Sequence, residues 1–195
     1  MSYYFTNDEN LKSEIRTNKV IIDSLSFTFY TDNGVFSKKG LDFGTRSLLE
    51  SLDFVNGDVL DLGCGYGPIG IYLSKKYNVI PDMVDVNRRS IDLCLKNIKL
   101  NNTKANVFES DGYTNINKKY DYIVTNPPIR VGKEKLYSLL FESSVHLKDN
   151  GELWLVIHKD QGAKTLCKDL EKMYEVVIKN KNKGFYVIMA KNKSN

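Results

Sequence analysis

Only three cysteines, Cys64, Cys94 and Cys167, occur in the 195 residues, and the two histidines are His146 and His158. The cysteines are odd in number and widely spaced, and none forms a Cys-x-x-Cys pair, so a disulfide framework and a structural zinc site are both improbable. A reduced, cytoplasmic setting fits that usage. Apolar runs are short: none reaches the roughly 18 residues of a membrane span. The first ten residues, Met1 to Asn10, carry neither a basic stretch nor an apolar one, which argues against a secretory signal. Excess charge of one sign is also missing. Lys and Arg number 28 against 24 Asp and Glu, a net charge of +4 that permits a nucleic-acid partner without demanding one. Repeats and low-complexity tracts are absent.

What remains is the composition of a single soluble globular domain, 42% hydrophobic and 27% charged. Residues 1–40 read as an N-terminal β extension. Within them, Val20–Tyr30 is rich in β-branched and aromatic residues around an Asp23-Ser24 turn, the pattern of a hairpin. Residues 41–195 alternate between helical and strand periods. Helices are expected over 41–52, 69–77, 88–100, 135–147 and 163–173, with Ile91, Leu95 and Ile98 forming the apolar face of the third. Short strands are expected over 58–62, 78–86, 105–108, 120–124, 152–157, 175–178 and 185–189. Such alternation builds a mostly parallel sheet with helices on both faces. The last two strands have no helix between them and must pair antiparallel. The expected fold is α/β: a seven-stranded Rossmann-like sheet with an antiparallel terminal strand and a small N-terminal hairpin.

The first core strand, Val59-Leu60-Asp61, runs into a glycine-rich loop, Leu62-Gly63-Cys64-Gly65-Tyr66-Gly67-Pro68. A loop of this kind, opening a helix at the carboxyl end of a strand, is where open α/β sheets bind ligands. Gly65, Gly67 and Gly70 also satisfy the G-x-G-x-x-G dinucleotide pattern. Asp61 speaks against that reading, since its carboxylate would oppose a pyrophosphate; an acidic residue here suits a cationic group instead. The second strand ends at Asp85-Val86-Asn87. Asp85 can accept bonds from a ribose diol, while Asn87 is better placed to cap the following helix. Asp111-Gly112 follows the third strand; Asp111 can accept from an adenine amine or simply make an Asp-Gly turn with Gly112.

The fourth strand ends in Asn126-Pro127-Pro128-Ile129-Arg130. Two prolines after an apolar strand make a rigid turn and hold Asn126 extended. The side-chain carbonyl of Asn126 and the carbonyls of the turn are acceptors suited to an NH₂ group. Gripping its hydrogens aims the nitrogen lone pair at an electrophilic methyl, so catalysis here would be positioning and electrostatics rather than strong base chemistry.

Asp61-x-Gly63-x-Gly65-x-Gly67, Asp85 and Asp111 together resemble the class I S-adenosylmethionine-dependent methyltransferases. Asn126-Pro127-Pro128 resembles the Asn/Asp-Pro-Pro-aromatic motif of amino-methyltransferases, with Ile129 where an aromatic ring is usual. The segment Gly34-Val35-Phe36-Ser37-Lys38-Lys39-Gly40-Leu41-Asp42-Phe43-Gly44-Thr45-Arg46-Ser47-Leu48-Leu49 is similar to one found before the first sheet strand in the RsmC-like family, the small-subunit ribosomal RNA guanine-N2 methyltransferases. The resemblance runs from about Tyr3 to Ala190. It implies S-adenosylmethionine as cofactor, held by Thr45, Asp61, Gly63, Gly65, Gly67, Asp85, Val86, Asp111, Gly112 and Asn126. It implies Asn126, Pro127 and Pro128 as the catalytic turn, and no metal. By the same resemblance Gly44 and Thr45 lie near the methionine end of the cofactor; helix capping by Thr45 is an equal alternative.

Small-subunit ribosomal RNA is the implied partner. Well-known members carry two tandem methyltransferase-like domains, whereas this sequence reads as one. RNA contacts are therefore expected from Arg130 and Lys159, with Lys133, Lys135, Lys38, Lys39 and the stretch His158–Gln161 as further candidates. Tyr66 and Phe36 could stack on a flipped base or pack beneath it. Two other readings stay open: a degenerate module that binds RNA without catalysis, and an amino-methyltransferase acting on a protein glutamine or a small molecule.

Overall fold

The computed structural model describes residues 12–35, 37, 40–53, 56–128 and 131–193. The hairpin comes first, as strands β1 (Arg16–Ile22) and β2 (Leu25–Thr31). Its turn residues Asp23 and Ser24 both have positive φ, 47° and 65°. That backbone twist matches the twist of the strands a two-residue turn must join.

Helix α1 (Phe43–Leu49) follows, then β3 (Val59–Leu62), α2 (Pro68–Tyr77), β4 (Asp82–Asp85), α3 (Arg88–Leu100), β5 (Asn106–Glu109), β6 (Tyr120–Thr125), α4 (Lys133–His146), β7 (Leu147–His158), α5 (Ala163–Leu170), β8 (Tyr174–Asn182) and β9 (Phe185–Asn192). The seven core strands form one sheet in the order β5-β4-β3-β6-β7-β9-β8. All neighbouring pairs up to β7 are parallel, and β9 is antiparallel to both β7 and β8. The α/β sheet expected from the alternation of periods is therefore present. Its final hairpin is longer than the two apolar segments suggest, because the Lys- and Asn-rich residues between them continue the pairing out to Asn182 and Phe185.

Apolar packing fills both faces. One face buries Leu48 and Leu49 of α1, Ile69 and Leu73 of α2 and Leu93 of α3; the other buries Leu136 and Leu140 of α4 and Leu166 and Leu170 of α5. Leu95 does not join the buried face of α3: it is exposed, and Asn97 takes an inward position. The reason is the hairpin. Asn97 and Asn101, one helical turn apart, present their amides to β2. Asn97 accepts from Tyr30 N–H (2.7 Å) and donates to Tyr30 O (2.9 Å), and Asn101 does the same to Thr28 (3.0 and 2.7 Å). Two side chains thus act as a substitute strand for the open edge of β2. Phe27 and Phe29 of β2 are buried against the same core. The N-terminal hairpin is consequently docked on α3 rather than appended to it.

Candidate active site at the carboxyl edge of the sheet

The loop after β3 is pinned to the neighbouring strand: the N–H groups of Gly63 and Cys64 both donate to Val84 O, at 2.9 and 2.8 Å. Gly63 and Gly65 adopt φ of 73° and 56°, and a β-carbon at either would point into open space. Their bare backbone faces outward, where a ligand can approach closely. Gly70 is small for a different reason. A β-carbon there would lie 2.4 Å from Met83 Sδ, so α2 is drawn tightly against β4.

Asp61 sits beneath this loop with no solvent exposure. Its Oδ2 accepts from Gly70 N–H at 2.8 Å, while Oδ1 has no hydrogen-bond partner. Burial pushes its pKa up to about 7; the Gly70 bond opposes that rise and the charge of Asp85 adds to it. A buried carboxylate with an unpartnered oxygen is costly unless something positive meets it.

Asp85 closes β4. Its Oδ2 accepts from Gly65 N–H and its Oδ1 from Asn87 N–H, each at 2.8 Å. Burial raises its carboxyl above the ordinary range despite those bonds. Asn87, not Asp85, caps α3, accepting from Ser90 N–H at 3.2 Å. Val86 lies half-buried between them. Asp111 and Gly112 follow β5 in a turn, with Gly112 at φ 58°. Asp111 is exposed and pairs with Lys135 of α4 at 3.0 Å. Lys135, a candidate RNA contact from the sequence, is thus engaged with the site's own acid. Beside the pair lies a cavity of about 230 Å³ lined by Gly112, Thr114, Ser138 and Leu139.

Asn126 stands just past β6, whose last residue, Thr125, donates its hydroxyl to Leu62 O at 2.8 Å and so ties the turn to β3. The Asn126 amide nitrogen donates to Thr45 Oγ1 at 2.9 Å and lies 3.5 Å from Asp42 Oδ1. Thr45 Oγ1 in turn donates to Asp42 Oδ2 at 2.6 Å. With its hydrogen committed to a carboxylate, the Thr45 hydroxyl offers only lone pairs to Asn126. The amide must therefore turn its NH₂ toward α1, and its carbonyl oxygen faces the other way. Pro127 is buried and Pro128 half-buried beneath the turn.

The helix-cap reading of Thr45 is corrected: Asp42 is the N-cap of α1, and Thr45 is the third residue of the first turn, donating its N–H to Asp42 at 3.0 Å. Tyr66 is buried edge-on against Phe29, where it packs under the loop and presents no face to a base. Lys159 lies exposed in a 3₁₀ turn (Lys159–Gln161) after β7. Lys133 sits 5.0 Å over the Tyr137 ring. Arg130, Ile129, Phe36, Lys38 and Lys39 fall outside the described residues.

Sequence reasoning missed Asp42, although Asp42-x-x-Thr45 ahead of an apolar run is a helix-start signal. It also missed a cluster of rings: Phe43 and Phe185, with centroids 5.8 Å apart, and His158, edge-on to Phe185 at 4.9 Å. Residues 43, 158 and 185 are too distant in sequence for any local pattern to join them. Among the described residues no group of three or more His, Cys, Asp or Glu side chains could hold a metal, and no helix is long and apolar enough to cross a membrane.

Comparison with known proteins adds to this geometry. The model of the methyltransferase small domain family matches residues 26–189. The chain is 40% identical to uncharacterized protein YbxB of Bacillus subtilis over 97% of its length and 98% of that protein. It is 34% identical to ribosomal RNA small subunit methyltransferase C of Psychromonas ingrahamii, over 74% of this chain and 43% of that one. The chain thus spans less than half the length of this methyltransferase C relative. Among solved structures, the Thermus thermophilus 16S rRNA N2 G1207 methyltransferase (RsmC), in complex with AdoMet and guanosine, superposes with a TM-score of 0.83 at 26% identity. That match covers 94% of this chain and 52% of the other. A methyltransferase from Pyrococcus furiosus, 19% identical with a TM-score of 0.67 over 76% of this chain and 81% of its own, shares the fold.

Proposed function

The chain belongs to the methyltransferase small domain family, and from that premise we propose that it transfers a methyl group from S-adenosylmethionine to the N2 amine of a guanine in small-subunit ribosomal RNA. The observation that carries the reading is the oriented amide of Asn126, whose carbonyl is presented by the Thr45–Asp42 relay at the edge where β3 and β4 offer an acidic, glycine-lined cradle.

The cradle fits S-adenosylmethionine. The unpartnered Oδ1 of Asp61 suits a cationic ligand over an anionic one. Gly63 and Gly65 leave open space where side chains would otherwise stand. Asp85 would hold a ribose diol with acceptors already fixed by Gly65 and Asn87, Val86 would pack beside the adenine, and Asp111 would accept from its amine once Lys135 gives way. When bound, S-adenosylmethionine supplies a methyl on a sulfonium: the new N–C bond forms as C–S breaks, the sulphur leaves as a neutral thioether, and the amine gives up one proton to water.

The protein's part is positional. An aryl amine has a delocalised lone pair and is a poor nucleophile. Asn126 Oδ1 and the carbonyls of the Pro127-Pro128 turn would accept its two hydrogens and rotate the lone pair toward the methyl. Thr45 and Asp42 hold that acceptor in place, so little reorganisation is needed at the moment of transfer. Arg130 and Lys159 are proposed to contact RNA phosphates. The guanine-N2 choice is supported by the name and ligands of the Thermus thermophilus structure, which was solved with guanosine.

The test is incubation of the protein with tritiated-methyl S-adenosylmethionine and purified small ribosomal subunits or their naked RNA, followed by nuclease digestion and nucleoside chromatography. Label in N2-methylguanosine is expected. Label in another nucleoside, or in protein glutamine, would overturn the target; no transfer to any of them, with the cofactor bound, would favour a non-catalytic RNA-binding module.

A further inference from the structure

The position that usually carries an aromatic ring after Asn-Pro-Pro is Ile129 in this chain. A purine brought to Asn126 still needs a surface to lie on. We propose that Phe43 and Phe185, backed by His158, form the stacking seat for the target base, with Lys183 and Lys159 taking the phosphates beside it. This deepens the ribosomal RNA reading above and rests on it.

Sheet order decides which side the base must come from. The acidic cradle occupies the ends of β4 and β3, and Asn126 stands at the end of the next strand, β6. With the cradle filled by a ligand, an amine bound at Asn126 would have to reach it from the side away from the cradle. The strands on that side are β7 and then β9. Thr125, the last residue of β6, is level with Leu155, so β7 runs three residues further, to His158. His158 is paired with Phe185, the first residue of β9. The two rings therefore stand beyond the level of the β6 end, on the side of Asn126 away from the cradle. Phe43 joins them from the first turn of α1, the same turn that holds Asp42 and Thr45.

Phe185 packs on the core with one side, yet neither ring is sealed in. Phe43 and Phe185 are half-buried, with rings tilted 47° and not interlocked face to face. A β-carbon on Gly44 would lie 2.8 Å from Phe185 Cε1, so the glycine beside Thr45 lets this ring come close to the relay that orients Asn126. The Lys183 ammonium sits 4.7 Å over the Phe43 ring, so that face is covered by an exposed side chain that a stacking base would displace toward its own phosphate. Lys183 stands in the exposed turn of the β8–β9 hairpin, and Lys159 N–H donates to Gly184 O of the same turn at 2.7 Å. Two lysines thus flank one aromatic step. Rings to stack a base and cations to meet its phosphates are the elements of single-stranded nucleic-acid recognition. Asp160, 3.3 Å from His158 Nδ1, is the acidic neighbour that any RNA path must skirt.

The test uses the whole protein and a short single-stranded RNA in which one 2-aminopurine replaces a guanine. This base keeps the N2 amine and loses fluorescence when it stacks. Wild type should quench it, and Phe185→Leu and Phe43→Leu should each weaken both the quench and RNA binding by about tenfold, the scale of one base–aromatic stack. Phe185→Tyr should restore both, and the quench left at saturating protein separates the roles, since a merely structural role would weaken binding without changing the quench of RNA already bound. In the labelled-methyl assay the leucine variants should raise KM for RNA while S-adenosylmethionine binding by calorimetry stays at the wild-type value. Lys183→Ala should weaken RNA binding and reduce its salt dependence while leaving the quench at saturation. If wild type methylates RNA and the leucine variants quench and turn over normally, the seat is wrong and the function stands. If wild type neither binds nor methylates RNA, both fall.

Discussion

Asp61→Asn removes a charge from the most enclosed carboxyl of the cradle yet keeps an oxygen for the Gly70 amide. Burial pushes the Asp61 pKa up to about 7. A cationic ligand group favours the carboxylate, so apparent affinity for S-adenosylmethionine follows the ionised fraction. A pKa of about 7 leaves roughly half the carboxyls ionised at pH 7 and roughly one tenth at pH 6, so affinity should fall about fivefold over that unit. The ligand's own α-amino group, with an ordinary pKa of about 7.7–8.0, stays mostly protonated in the interval and does not compete with the effect. Asp61→Asn should bind more weakly at pH 7 and show no such slope. Calorimetric titration in two buffers of different ionisation enthalpy measures it directly: wild type releases a fraction of a proton on binding near pH 6.5, and the variant none. The ligand-free fold feels the same group with the opposite preference. The unfolded carboxyl ionises near 3.9 and the folded one near 7, so the folded state binds more protons between them. The contribution of Asp61 to stability is therefore lost as pH rises through that window, by at most about 4 kcal/mol. A flat wild-type affinity between pH 6 and 7 would refute the assignment. A slope that persists in Asp61→Asn would move the titration to Asp85, whose carboxyl is also raised by burial.

Thr45→Val removes the hydroxyl that receives the Asn126 amide; kcat should fall about 10- to 100-fold with S-adenosylmethionine affinity held, Thr45→Ser should recover most of it, and an affinity loss instead would make Thr45 a cofactor ligand. Asp85→Ala should weaken calorimetric binding of the cofactor at least about tenfold, whereas Asn126→Ala should spare binding and abolish most turnover; equal effects of both on affinity would overturn this division of roles. Asn97→Leu strands the N–H and carbonyl of Tyr30 and the carbonyl of Tyr66. It should cost roughly 3 kcal/mol in thermal or urea unfolding, and a neutral result would mean that the hairpin docks through its phenylalanines alone. Gly70→Ala places a β-carbon against Met83 and should destabilise by about 1–3 kcal/mol unless Met83 finds another rotamer; pairing it with Met83→Leu and measuring the coupling separates the two outcomes.

Local chemistry made much of this molecule legible in advance. Strand and helix periods are short-range properties, so the α/β alternation, the Asp23-Ser24 turn and the cap at Asn87 could all be read from neighbouring residues. The glycine loop was equally readable, because a backbone that turns sharply at the end of a buried strand leaves its mark within nine residues. Helical periodicity puts Leu95 inward but cannot say what covers a face: the hairpin on α3 needs amides, and Asn97 and Asn101 take the inward positions while Leu95 is exposed. The bond between Thr45 and Asn126 is invisible to local pattern because the two lie 81 residues apart. The amino-acid sequence by itself determined the elements, the acidic glycine cradle and the Asn-Pro-Pro acceptor, since each is marked by residue types within one short stretch of chain. Tertiary structure alone decided which way the Asn126 amide faces, that Lys135 answers Asp111, and that Phe43, His158 and Phe185 meet beside the site, since strand order and register bring together groups that share no segment of chain.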